Sequence, residues 1–179
     1  MNTLASIRSL AKRRPEDAER LINALAAEFR IINAVASERE IGIRQEIELC
    51  EQHLQVMGYR WEARYTFIKE NIDNSLTVPP LIFHTLIENG LTHAFNPKEN
   101  GTFRLSVKKE NNCVEYTLQN DGSLLEAIGK SPQKEVEEGT GIKYVKTRLE
   151  ERYPGQWQLG YGLVDSHWEV VITICGGAA

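Results

Sequence analysis

No apolar stretch in this sequence approaches the roughly eighteen residues that a membrane-spanning helix needs. Arg8, Lys12, Arg13 and Arg14 interrupt the first residues, which excludes a secretory signal there. Cysteine is scarce. Cys50, Cys113 and Cys175 are odd in number, far apart and without metal-ligand spacing, so the expectation is three reduced, buried thiols in a cytoplasmic segment. A large excess of either charge is missing too. The net charge is -4, which argues against a general nucleic-acid or membrane-surface binder, although Lys143, Lys146 and Arg148 crowd one short segment. Low-complexity tracts are absent. What remains is an ordinary globular composition, 41% hydrophobic and 26% charged, over 179 residues, enough for one large or two small domains.

The first third reads as helix. Pro15-Glu16-Asp17 is a helix start, with proline in the first turn and acids near the positive end of the dipole. Ala18, Ile22, Leu25, Phe29, Ile32 and Ala36 then recur in steps of four and three, an apolar seam at heptad spacing. A second seam follows Gly42, through Ile43, Ile47, Cys50, Leu54, Met57 and Trp61. Two seams joined by a short link predict a helical hairpin, either folded into a monomer's core or packed against a second copy, with the dimer favoured.

From Tyr65 the pattern changes to strands, placing a boundary near Ala63, between residues 1–62 and 63–179. Residues 65–72, 102–108 and 113–119 alternate as strands, with Asn111-Asn112 as a hairpin turn. A Val78-Pro79-Pro80 corner opens a helix to about His93, and Gly139 opens another to Arg152. Two last strands are expected near 156–161 and 167–175. The irregular, polar stretch 121–138 has the length of a functional loop. This order predicts an α+β fold, a two-layer α/β sandwich with a mixed sheet, preceded by the helical hairpin.

Three features could carry chemistry. Thr85, Glu88, Asn89, Thr92 and His93 share one face of a helix whose other face is Ile82, Phe83, Leu86 and Gly90. A polar stripe is usually a solvated face, but this one holds an acid, an amide and an imidazole with no lysine or arginine. A carboxamide oxygen suits Mg²⁺, and His93 could donate to a phosphate oxygen. Second, Gly139-Thr140-Gly141-Ile142 leads directly into a helix, so backbone N–H groups and the helix dipole can converge on a phosphate; a tight turn without a ligand is the plain alternative. Third, Asn120-Asp121-Gly122 ends a strand, either as a simple turn or as a reader of the adenine amine.

Taken in order, these features resemble the Bergerat-type ATP-binding domain, and most closely the sensor histidine kinases of the LytS/YehU type. Residues 78–93, from Val78-Pro79-Pro80 to Asn89-Gly90-Leu91-Thr92-His93, look like that family's asparagine box. Residues 139–149 resemble its glycine box, and residues 2–10 and 54–61 its helical phosphoacceptor region. The resemblance implies ATP and Mg²⁺ as ligands, with Asn89 the metal ligand and Glu88 a polarising or orienting group. It further implies nucleotide contacts from His93, Asn120, Gly122, Gly139, Thr140, Gly141 and Ile142, under a lid at 123–138. Many relatives carry aspartate where Asn120 stands.

The function so implied is transfer of the γ-phosphate of Mg-ATP to a histidine, for relay to the receiver domain of a response regulator. The family's phosphoacceptor lies in a His-Phe-Leu-Phe-Asn motif a few residues before Asn2, and none of His53, His84, His93 or His167 sits in such a motif. The chain is therefore expected to need an acceptor supplied from outside it, and not to label itself. A homodimer through the N-terminal helices, a cytoplasmic setting and an inner-membrane parent complete the expectation. The alternatives are a degenerate nucleotide- or partner-binding module without phosphotransfer, and a Bergerat-fold hydrolase or serine kinase.

Overall fold

The computed structural model describes residues 3–122, 139–165 and 167–176. Three helices come first: α1 (Thr3–Arg13), α2 (Pro15–Val35) and α3 (Ile43–Trp61). Pro15 stands in the first turn of α2, where its missing N–H costs nothing, and Glu16 and Asp17 follow it. Leu10 of α1, Ala18, Leu21 and Ala24 of α2, and Val56 of α3 close a small core between the three helices. No helix among the described residues is long and apolar enough to cross a membrane.

The first apolar seam divides in the structure. Ala18 is buried, whereas Ile22 and Phe29 are 48% and 56% exposed. The buried stripe of α2 is instead Ala18, Leu21, Ala24, Glu28 and Val35. A carboxylate in its middle hides that stripe from a search for apolar periodicity. The second seam is buried from Ile43 to Met57, but its partner is different from the one expected. Ile43, Ile47, Cys50, Leu54 and Met57 share one core with Phe83, Leu86 and Phe103, so a single core runs across positions 62 and 63, where the secondary structure changes.

The main sheet is mixed, with strand order β2-β4-β5-β7-β6. Its members are β2 (Tyr65–Glu70), β4 (Gly101–Glu110), β5 (Cys113–Asn120), β6 (Trp157–Val164) and β7 (His167–Cys175). β2 runs parallel to β4 and every other pair is antiparallel. A separate short ladder joins β1 (Ile41–Gly42) to β3 (Thr77–Val78). Asn111 and Asn112 both take positive φ in the β4–β5 hairpin, the conformation a tight two-residue turn requires. Phe103, Leu105 and Val107, with Val114, Tyr116 and Leu118, and Val170, Ile172 and Ile174, alternate along their strands onto one buried face. α3, α4 (Ile82–Ala94) and α5 (Thr140–Arg152) contribute the other half of that core, giving a two-layer α/β sandwich.

The cysteines need a correction. Cys113 and Cys175 face each other across the β5–β7 ladder and are joined as a disulfide, although 62 residues separate them in sequence. Strand register made neighbours of residues that spacing alone had suggested were independent thiols. Cys50 stays a buried free thiol, and burial pushes its pKa well up.

Candidate functional site

The site is built on α4, and α4 is held at its start by a residue of α3. Leu81, at φ 68°, turns the chain into the helix. The first N–H groups of a helix have no partner within it. Here Glu46 accepts from the backbone N–H of Leu81 at 2.8 Å, Phe83 at 2.8 Å and His84 at 3.0 Å. A carboxylate there also faces the positive end of the helix dipole, which favours its ionised form. Burial pushes the Glu46 carboxyl up, against the opposing pull of these amides and of His84. Further along, a β-carbon on Gly90 would lie 2.8 Å from Phe103 Cε1 and 3.0 Å from Asn120 Nδ2. Glycine therefore lets α4 lie against the sheet. With Ile82, Phe83, Leu86, Ile87 and Leu91 buried, the polar stripe is turned outward.

It meets the start of α5. Thr85, Glu88, Asn89, Thr92 and His93 from α4, with Thr140, Gly141 and Tyr144 from α5, line a cleft of about 360 Å³. A β-carbon at Gly141 would lie 2.1 Å from Asn89 Nδ2 and 2.6 Å from its Oδ1, so only glycine permits this approach. Gly139, the N-cap of α5, has nothing among the described residues within 4 Å of such a carbon. Its role is to start the helix, whose first-turn N–H groups stand at the edge of the cleft. The far end of α5 is fixed by Glu40, which accepts from Arg152 Nη2, Tyr153 Oη and Thr77 Oγ1. Burial raises the Glu40 carboxyl, but these donors outweigh it and hold it below the usual range.

Seven of the residues singled out from sequence thus converge: Thr85, Glu88, Asn89, Thr92, His93, Thr140 and Gly141, with Gly139 and Ile142 adjoining them in the chain. Asn120 and Gly122 are not among the residues that line this cleft, but lie on the sheet side of α4. Asn120 is buried beneath Gly90 and accepts from the Gly122 N–H at 3.3 Å, and a β-carbon on Gly122 would lie 2.3 Å from the Ala94 carbonyl oxygen. Asp121 is held to the sheet, accepting from the Thr102 N–H at 2.6 Å. The 123–138 lid expectation falls outside the described residues. Sequence reasoning did not place Tyr144 in the cleft, nor Glu46 beneath it. An acid interleaved with Ile43, Ile47 and Cys50 on α3 was the available sign of Glu46.

The donor set suits a nucleotide phosphate and a hard cation: a carboxamide, hydroxyls, a carboxylate and the first-turn N–H groups of a helix, around a cradle that one β-carbon would fill. Residues 1–65, spanning α1 to α3, match the model of the histidine kinase family. Over 161 residues the chain is 28% identical to the sensor protein LytS of Enterococcus faecalis, covering 85% of this chain and 27% of that protein. The chain resembles the LytS-type sensor histidine kinases. It is also 27% identical to the sensor histidine kinase/phosphatase LytS of Staphylococcus aureus over 150 residues, 78% of this chain and 25% of that one. It therefore spans about a quarter of the length of these LytS proteins. Its fold is that of histidine kinase catalytic domains. The catalytic domain of histidine kinase ThkA superposes with a TM-score of 0.54 at 14% identity, over 76% of this chain and 94% of that one. The histidine kinase domain of a blue-light activated kinase from Erythrobacter litoralis gives 0.52 at 17% identity, over 93% and 79%.

Proposed function

We propose that this chain is the ATP-binding catalytic part of a two-component sensor histidine kinase, acting on a histidine and passing the phosphoryl group to a response regulator. The observation that carries this reading is the approach of Asn89 to the Gly141 turn. It sets a hard oxygen ligand beside the N-terminus of a helix, where a triphosphate and its cation need both. Bound Mg-ATP would supply the transferable phosphoryl group and neutralise the charge on its oxygens.

The chain's own residues position and orient. Asn89 offers its carboxamide oxygen to Mg²⁺. Gly139, Thr140, Gly141 and Ile142 present backbone N–H groups to phosphate oxygens, and His93 adds a donor at the rim. Glu88, exposed at the cleft mouth, is suited to orient the incoming acceptor histidine. Asn120 is assigned to the adenine, with Gly122 giving the close approach beside it. Ile22 and Phe29, exposed apolar residues seven positions apart on α2, support a homodimer through the N-terminal helices. The shared core of α3 and the sheet supports a division near residue 40, ahead of β1, rather than at 62 and 63. The setting proposed is cytoplasmic.

The experiment is transfer in trans. Protein, Mg²⁺ and γ-labelled ATP are mixed with a separate fragment carrying a kinase acceptor helix. Acid-labile, base-stable label on the fragment's histidine is expected. Nucleotide binding with no label on any acceptor would instead mark a binding module without phosphotransfer.

A further inference from the structure

Away from the cleft, three helices meet at a buried polar cluster that the proposed phosphotransfer does not use. Glu28 of α2, His53 of α3 and His84 of α4 are all buried, and their ligand atoms lie within 4.8 Å of one another. His53 Nδ1 is 2.7 Å and His84 Nε2 3.1 Å from the same oxygen, Oε1 of Glu28. The two rings stand edge to face with centroids 4.6 Å apart.

We propose that Glu28, His53 and His84 bind a zinc-class divalent cation that staples α2 to α3 and α4. Two imidazoles and one carboxylate are a borderline donor set, suited to Zn²⁺ or Co²⁺ and poor for Mg²⁺ or Ca²⁺. In a tetrahedral site with bonds of about 2.1 Å, neighbouring ligand atoms stand roughly 3.4 Å apart. The present 2.7 and 3.1 Å separations reach that by opening less than 1 Å. Glu28 supplies one negative charge to a dication, so ligand and ion offset each other in part and the cost of burying the carboxylate is lessened. Both imidazoles ligate as neutral rings, so His53 Nδ1 and His84 Nε2 each give up the proton now directed at Glu28. That of His53 can pass to its own Nε2, which is buried with no hydrogen-bond partner, and that of His84 passes to its other ring nitrogen or to solvent as the metal binds. The fourth position falls to water. His84 lies on the helix that carries Asn89, so the cation would fix that helix to α2.

Chelator-treated protein, free of nucleotide and Mg²⁺, is titrated with Co²⁺ and then with competing Zn²⁺, reading visible ligand-field absorption. One equivalent with tetrahedral-type absorption is expected. Glu28→Gln should weaken binding at least a hundredfold, with circular dichroism reporting its fold. The two exposed histidines serve as the control: a His93→Gln, His167→Gln double variant, which leaves only His53 and His84, should bind as the parent does. Absence of one-equivalent binding to the folded parent, retention of it in Glu28→Gln, or its loss from the double variant overturns the site. The assay uses no nucleotide or phosphotransfer, so its result is independent of the proposed kinase activity.

Discussion

The amide of Asn89 occupies the space that a methyl group on Gly141 would fill, with Nδ2 2.1 Å from where the β-carbon would stand. Two elements far apart in sequence are thereby joined at one point, the outward face of α4 and the first turn of α5. Gly141→Ala should push the Asn89 side chain aside or lift the turn. Asn89 is only half-buried and can swing, so stability should change little, while ATP affinity should fall at least about tenfold, or ~1.4 kcal/mol. Gly139→Ala meets none of the described residues, at φ -61°, and should bind ATP nearly as the parent does. Equal affinities for both variants in a fluorescent-nucleotide titration would contradict this geometry.

Glu46 acts from below the site. Removing its carboxylate leaves three N–H groups at the start of α4 without their acceptor. Glu46→Ala should cost on the order of 3 kcal/mol or more in urea unfolding, since each unsatisfied buried donor costs ~1–3 kcal/mol and the first turn relaxes in part. Glu46→Gln keeps one oxygen and buries no charge, so its loss should be smaller. A Glu46→Ala loss below about 0.5 kcal/mol would show that water replaces the carboxylate freely.

Acid should act through Glu28. Burial raises its carboxyl, but hydrogen bonds and charge from His53 and His84 outweigh this and lower it from 4.5 to about 2. A carboxyl with a depressed folded pKa stabilises the fold above its unfolded value, and the stabilisation is lost as pH falls through the folded value. The window is therefore pH 4.5 to 2, and the amount on the order of 3 kcal/mol. Glu46, raised by burial, works the other way: its contribution is present below pH 4.5 and is lost as pH rises through its folded pKa. Comparing urea midpoints at pH 6 and pH 3, the parent should lose more stability than Glu28→Gln. Parallel losses would remove Glu28 from the account.

Much of this was legible in the sequence, for definite reasons. Phe103, Leu105 and Val107 alternate because one side of β4 is buried, and Asn89 and His93 share a stripe because the other side of α4 packs on the sheet. Glu88, Asn89, His93, Thr140 and Gly141 could thus be named before their approach was seen. What escaped was polar and long-range. Glu28, Glu46, His53 and His84 sit on otherwise apolar stripes and are stabilised by partners on other helices, which no local period reveals. The Cys113–Cys175 bond depends on strand register, and the place of α3 in the sandwich depends on a core assembled from residues far along the chain.

Base choice is expected to depend on Asn120. Adenine offers an amine donor where guanine offers a carbonyl acceptor, and an amide can satisfy either while an ionised carboxylate can only accept. Asn120→Asp should tighten ATP by ~1 kcal/mol through a charge-assisted bond and weaken GTP. Competition of both nucleotides against a fluorescent ATP analogue measures this. An unchanged ATP-to-GTP ratio would remove Asn120 from the base pocket.

Calorimetry of ATP binding with and without Mg²⁺, on the parent chain and on Asn89→Ala, is the most direct measurement of whether the cleft between α4 and α5 holds a magnesium nucleotide. The parent should bind ATP more tightly with Mg²⁺ present, and Asn89→Ala, folded by circular dichroism, should lose that Mg²⁺-dependent gain. A folded Asn89→Ala protein that keeps the parent's Mg²⁺-dependent affinity, or a parent chain that binds no ATP under either condition, would contradict the account.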